Sequence, residues 1–219
     1  MPFENRAQAG RLLAERLKAY SGGNTLVLAI PRGGVPVGWE LAEGLGGELD
    51  VVLVHKLRSP DNREFAVGSV AEDGHVYLSA EARTLGLSER YLKEEAAFQL
   101  EALKRRRAMY TPVRPPVDPF GRCVIVVDDG LATGFTMIAA LRSLRVRRPA
   151  WVVAAVPVAP PGIVERVGTW ANEVVCLETH EDFRAVGAWY ADFSPVTDEE
   201  AVELLRHAPA PLEPSNEEL

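Results

Sequence analysis

Short, unbroken apolar runs alternate along this chain with longer segments in which apolar residues recur every three or four positions. Arg6 to Tyr20 carries Leu12, Leu13 and Leu17 at helical spacing, and Ser21-Gly22-Gly23-Asn24 stops it. Thr25 to Ile30 is a continuous apolar run of strand length. A helix fits Val35 to Leu45, closed by Gly46-Gly47, and Val51 to Leu57 reads as the next strand. Farther on, strands are expected at Cys123 to Val127, Trp151 to Val156 and Glu173 to Leu177. Helices are expected near Thr136 to Arg145 and just after Pro160-Pro161. Strands that are apolar throughout, each followed by a helix, are what a parallel sheet covered on both faces requires. The expected fold is therefore α/β: a Rossmann-like parallel sheet with helices on both faces.

One stretch breaks the alternation. Arg58-Ser59-Pro60-Asp61-Asn62-Arg63-Glu64 is a charged loop, and Phe65 to Ala71 with Val76 to Ser79 read as short extended pieces. This predicts a flexible, hairpin-like flap over about 56–80. Ser88 can cap a long helix reaching Tyr110, and Thr197 with Glu200 forms a capping box for a last helix to about Arg206. Neither repeats nor a linker divide the chain, so residues 1–207 are expected to form one domain. The Pro/Glu-rich residues 208–219 are expected to be a disordered tail.

Composition narrows the function classes. The 219 residues carry a formal charge of −7, which argues against a general nucleic-acid binder, since such binding needs a basic field to displace counterions. It does not exclude an anionic small molecule, because a nest of amides and one or two arginines outweighs a distant net charge. The apolar runs are too short to span a membrane, and Met1-Pro2-Phe3-Glu4-Asn5-Arg6 lacks the order of a secretory signal, so a cytoplasmic location is expected. Cys123 and Cys176 sit in apolar runs without metal or disulfide spacing. The four histidines show no ligand spacing either. Arg105-Arg106-Arg107, with Arg142, Arg145, Arg147 and Arg148, reads as solvated helix-end charge.

The most informative segment is Val124-Ile125-Val126-Val127-Asp128-Asp129-Gly130-Leu131-Ala132-Thr133-Gly134-Phe135-Thr136. A buried strand delivers two carboxylates at its C-terminal end, where open α/β sheets bind ligands. The small-residue loop that follows opens into a helix, and amides there suit a phosphate monoester. The carboxylates suit sugar hydroxyls, a magnesium-bound water or a developing cation. Anion grip and carboxylate pair together describe a ribose 5-phosphate site. An ATPase acidic motif would fit the strand and Asp-Asp, but no GxxxxGK[ST] accompanies it.

This segment resembles the phosphoribosyl-pyrophosphate (PRPP) motif of the type I phosphoribosyltransferases, in a form close to the adenine-salvage version. The resemblance implies that Asp128 and Asp129 meet the ribose hydroxyls while Ala132, Thr133, Gly134, Phe135 and Thr136 wrap the 5′-phosphate. Gly130 departs from it, standing where a bulky aliphatic residue is usual, which is expected to loosen packing under the loop. Phe135 replaces a common small residue. Ala29-Ile30-Pro31-Arg32-Gly33-Gly34 is similar to the family's pyrophosphate loop, with Arg32, Gly33 and Gly34 at the anion. Lys56-Leu57-Arg58 through Glu64 has the position of the flexible loop, so Lys56, Arg58 and Arg63 become pyrophosphate contacts and Glu64 an acid/base candidate. The resemblance also implies a small C-terminal hood over about 178–207, in which Phe183, Trp189 and Asp192 resemble the acceptor contacts, one residue out of spacing on each side of Gly187.

The resemblance implies a pentosyltransferase of nucleotide salvage that uses PRPP and Mg²⁺, transfers the phosphoribosyl group to a nitrogenous base or related amine, and releases pyrophosphate. Asp128, Asp129, Arg32 and Lys56 would carry the chemistry, with Mg²⁺ held mainly by substrate and water near the aspartates. Ala132 stands where oxopurine enzymes place an aspartate, which lowers the odds of an oxopurine acceptor. Two alternatives stay open: a PRPP-binding regulatory protein without turnover, and a sugar-phosphate hydrolase. The acceptor is not specified, and a homodimer is left open.

Overall fold

The computed structural model describes residues 2–22, 24–61, 66–79, 82 and 85–209. Helix α1 (Arg6–Arg16) is capped by the Asn5 side chain, which accepts from the Gln8 amide. Strand β1 (Thr25–Ala29) is buried at every position and leads into α2 (Gly34–Leu45), which ends at Gly46 in the left-handed region. Then come β2 (Glu48–Val51), β3 (Val54–Arg58), β4 (Ala66–Ala71), β5 (Val76–Leu78) and the long α3 (Glu89–Tyr110), with Ser88 at its N-cap. The second half reads β6 (Cys123–Val127), α4 (Phe135–Val146), β7 (Trp151–Ala159), α5 (Pro161–Gly168), β8 (Glu173–Thr179) and α6 (Asp198–Arg206). The predicted capping box of Thr197 and Glu200 opens α6. No helix among the described residues is long and apolar enough to cross a membrane.

Five strands form a parallel sheet in the order β2-β1-β6-β7-β8. Both faces are covered, and alternate residues of each strand show it. Val27 and Ala29 of β1 and Ile125 and Val127 of β6 pack in the layer of α1 and α2, while Leu26, Leu28, Val124 and Val126 pack in the layer of α4. That is why these strands are apolar throughout rather than alternating. From β1 the chain turns one way to β2 and later returns to β6 on the other side. The crevice between the ends of β1 and β6 is thus a topological switch point, where such sheets bind ligands.

The run Val51 to Leu57 is two strands, not one. β2 ends at Val51 in the parallel sheet, and β3 begins at Val54 in a separate antiparallel sheet, β3-β4-β5. A buried run that changes partners keeps its apolar character across the change, so periodicity does not reveal the break. The flap is accordingly a three-stranded sheet backed by α3 rather than a hairpin, and Lys56 and Arg58 lie on β3. The expected flap positions Asn62, Arg63, Glu64 and Phe65 lie outside the described residues, as do residues 210–219 of the expected tail.

The arginine run at the end of α3 divides by face. Arg107 is half-buried and forks to Glu72 (2.6 and 2.7 Å) and to Asp50 (3.0 Å), and also donates to the Val51 carbonyl. This ties α3 to β2 instead of leaving a solvated charge. Leu103 and Tyr110 are buried and stand seven positions apart, so Arg106 and Arg107 border the inward stripe of the helix.

Candidate active site

The loops that follow β1 and β6 meet at the switch point. The Ile30 amide donates to the Val127 carbonyl at 2.9 Å, which continues the pairing into the Pro31–Gly34 turn. The Pro31–Arg32 peptide is cis. A Cβ at position 34 would lie 2.8 Å from the Val127 carbonyl oxygen and 3.1 Å from Asp128 Cα, so glycine is what lets α2 start against the end of β6. Among the described residues, the Arg32 and Gly33 amides donate to no protein group, and the Arg32 guanidinium is exposed without an acidic partner.

Asp128 and Asp129 stand in unlike settings. The Asp128 Oδ1 atom accepts from the Asp129 amide at 2.9 Å. Burial pushes its carboxyl well above the usual range, with the neighbouring Asp129 charge adding to the effect. Burial also raises Asp129, but the Arg6 guanidinium opposes the shift. Arg6 Nε donates to Asp129 Oδ2 at 2.8 Å, and both side chains are largely buried. The Tyr190 hydroxyl donates to the Asp129 carbonyl at 2.6 Å. Two desolvated carboxylates, with one cation bonded to Asp129 alone, form an electron-rich site that favours an incoming positive centre.

The next loop presents donors. No amide from Ala132 to Thr136 donates to another group among the described residues. Gly134 is the N-cap of α4 at φ +68°, where a Cβ would also meet Ile163 Cγ2 at 2.9 Å. Five free amides at a helix N-terminus form an anion grip. Phe135 is the first residue of α4, one position earlier than the sequence indicates. Its ring lies 4.9 Å from the Arg166 guanidinium and 5.9 Å from Lys56 Nζ. Arg166 also donates to the Thr133 carbonyl. Gly130 leaves no looseness: Val186 and Val158 fill the space a side chain would take, with Val186 Cγ1 2.6 Å from a Cβ there.

Beside this grip lies a polar pocket of ≈ 330 Å³ whose lining includes Pro31, His55, Lys56, Arg58, Arg106 and Thr136. None of Lys56, Arg58 and Arg106 is in an ion pair among the described residues. His55 Nδ1 donates to Gln99 Oε1 at 3.0 Å, the Gln99 amide itself donating to Glu95. Burial lowers the His55 pKa, and the Arg106 and Arg58 charges lower it further. A small pocket lined by cations with no counter-ion among the described residues is complementary to a polyanion.

The hood candidates are placed differently from expectation. Trp189 stacks on His180, with ring centres 3.5 Å apart, and lies 6.2 Å from Phe183. These rings pack with the cluster of Phe3, Val158 and Tyr190, so Trp189 is already stacked within the protein. Its indole nitrogen is buried without a hydrogen-bond partner among the described residues. Asp192 is exposed, and its Oδ1 accepts from the Ser194 amide and hydroxyl at 3.0 and 2.6 Å. It serves a turn. The chain's start joins this region: the Phe3 amide donates to the Trp189 carbonyl, and the Ala191 amide donates to the Phe3 carbonyl.

Arg6, Tyr190, His55, Arg106 and Arg166 escaped the sequence reading. Arg6 and Tyr190 carry no motif, because their partner is more than 60 residues away in each case. Arg106 alone left a signal, its place beside the Leu103–Tyr110 stripe.

The fold and the site together define a parallel α/β domain whose switch-point edge carries an amide grip, a carboxylate pair and a cationic pocket. The phosphoribosyl transferase domain model matches residues 4–192, and the chain belongs to that family. Over 207 residues, 94% of this chain, it is 41% identical to a protein of Mycobacterium tuberculosis H37Rv provisionally named a phosphoribosyl transferase. A counterpart from strain CDC 1551 shows the same figures. The chain spans about half of these curated relatives, 47% of their length. The crystal structure of TT1426 from Thermus thermophilus shares 47% identity, covering 96% of this chain and 100% of that one, with a TM-score of 0.85.

Proposed function

We propose that this chain is a PRPP-dependent phosphoribosyltransferase that transfers the phosphoribosyl group to a nitrogenous acceptor and releases pyrophosphate. The observation that carries the reading is the meeting, at one switch point, of five free amides after Asp128-Asp129 with an unpaired cationic pocket beside Pro31. A 5′-phosphate, a ribose and a pyrophosphate present those three demands in one molecule.

In this reading the amides of Ala132 to Thr136 hold the 5′-phosphate and fix the sugar. Asp128 and Asp129 accept from the ribose hydroxyls. Because both carboxyls are withdrawn from water and only Asp129 has a cationic partner, positive charge developing on the ring is stabilised more than the neutral ground state, the differential binding that lowers a barrier. Arg32, with the free amides of its turn, and Lys56 take the charge that builds on departing pyrophosphate, and Arg58 and Arg106 add to it. The two aspartates fit a magnesium ion carried on the substrate, since that ion keeps several waters and phosphate oxygens and needs only one or two protein carboxylates. When bound, it would neutralise pyrophosphate charge near Asp128 and Asp129.

The test is pyrophosphate release from PRPP and magnesium across a panel of bases, preceded by a thermal shift with PRPP. Binding with release on one base class is expected, and Asp128→Asn with Asp129→Asn should abolish it. Binding without release on any base would replace this reading with a PRPP-responsive binding module. Release of inorganic phosphate instead would indicate a hydrolase.

A further inference from the structure

Arg6 belongs to the first turn of α1, far from every motif, yet it is among the few buried charged residues, 9% exposed. Its guanidinium is held on three sides. Nε donates to Asp129 Oδ2 at 2.8 Å, Nη1 donates to the Ser194 carbonyl at 2.8 Å, and the plane lies 3.8 Å from the centre of the Phe193 ring. The planar fork suits this combination of directed donors and a stacked face, which a lysine cannot reproduce. Tyr190, from the same segment as Phe193 and Ser194, fixes the Asp129 carbonyl. Gly33 packs directly against the Asp129 carboxyl, for a Cβ there would lie 2.7 Å from Asp129 Cγ.

We propose that Arg6 is a positioning residue: by occupying Oδ2 it sets the Asp129 carboxylate in one orientation, leaving Oδ1 for a ribose hydroxyl and coupling the ribose site to the C-terminal segment Tyr190–Ser194. This rests on the reading of Asp129 as a ribose-binding carboxylate. A free carboxylate rotates among several orientations, and restricting it before binding removes that ordering cost from the bound state. Asp128 has no such anchor, its only polar partner among the described residues being the next amide, so Asp129 is the fixed member of the pair. The Arg6 charge also faces Asp192 and Tyr190; Asp192 is committed to Ser194, and Tyr190 donates to a carbonyl rather than to Arg6.

The experiment compares binding of ribose 5-phosphate, 2-deoxyribose 5-phosphate and pyrophosphate by calorimetry, for the wild-type chain, Arg6→Gln and Arg6→Lys. Wild type is expected to prefer ribose 5-phosphate. Arg6→Gln should lose about tenfold on ribose 5-phosphate and most of the preference over the deoxy sugar, in keeping with one charge-assisted hydrogen bond, while pyrophosphate binding stays unchanged. Arg6→Lys should recover part of the preference. Equal losses on all three ligands would reduce Arg6 to a structural residue and overturn the proposal, as would unchanged preference in both variants. A wild-type protein that binds pyrophosphate but does not distinguish the two sugars would overturn the ribose reading of Asp129, and the Arg6 assignment with it. Should Arg6→Gln fail to fold, Phe193→Leu removes the stacked ring while keeping the ion pair, and a smaller loss of the same preference is expected.

Discussion

Gly33 in the turn after β1 and Asp129 at the end of β6 touch so closely that no side chain fits between them: a Cβ on residue 33 would lie 2.7 Å from Asp129 Cγ. Position 33 has φ −60°, so the requirement for glycine is steric rather than conformational. Gly33→Ala should therefore preserve helix α2 while displacing the carboxylate. Overpacking of this kind costs about 1–3 kcal/mol, and PRPP affinity measured by calorimetry is expected to drop tenfold or more. Unaltered affinity would show that Asp129 is free to swing aside.

The two aspartates should respond unequally to neutralisation, since burial raises both carboxyls but only Asp129 is paired with Arg6. Asp128 is raised well above its ordinary 3.8, chiefly by burial, so the folded protein binds this proton more tightly than the unfolded chain does. Stability is therefore lost as pH rises from that ordinary value through the raised one. Asp128→Asn should melt higher than wild type at pH 7, by roughly 2–4 °C for each kcal/mol of penalty removed, and the advantage should vanish below pH 3.8.

Asp129→Asn should gain less than Asp128→Asn, because relief of the burial that raises Asp129 is offset by leaving the Arg6 guanidinium without a counter-charge. Thermal melts of the two variants across pH would check the contrast. Identical shifts would contradict the assigned role of Arg6.

Arg106 is expected to matter to the anion and not to the fold. Arg106→Ala should weaken pyrophosphate binding about tenfold, the value of one charge-assisted contact, and flatten the dependence of binding on salt. Arg107→Ala should instead destabilise the protein, since Asp50 and Glu72 lose their shared partner. Calorimetry on the first and chemical denaturation of the second separate the adjacent arginines.

His55 lines the same pocket, and burial holds its pKa below 6.5. A bound polyanion favours the imidazolium, so pyrophosphate binding near pH 6 should take up a fraction of a proton. Binding heats measured in buffers of different ionisation enthalpy would reveal it, and His55→Gln should abolish the uptake.

The strand starts at Thr25, Cys123, Trp151 and Glu173 and the motif loops were readable because their signals are local. β6 begins and ends where the apolar run does, and Asp128-Asp129 with the glycine and threonine loop needs only one strand and one helix to make sense. The break between β2 and β3 was hidden, because buried strands of two different sheets look alike in sequence. So was the fate of Trp189, an aromatic residue that reads equally well as a base platform or as a partner of His180.

The chain's pattern of apolar runs thus determined a parallel sheet with both faces covered, and its motifs determined where an anion and a carboxylate pair would sit along it. Only the tertiary structure decided which charges are free to serve that site. Arg106 stays unpaired in the pocket while Arg107 is spent on Asp50 and Glu72, and Arg6 crosses 123 residues of sequence to reach Asp129. Whether a charge binds a ligand or its own protein depends on which counter-charge comes within a few ångströms, and that is a property of the packed chain alone.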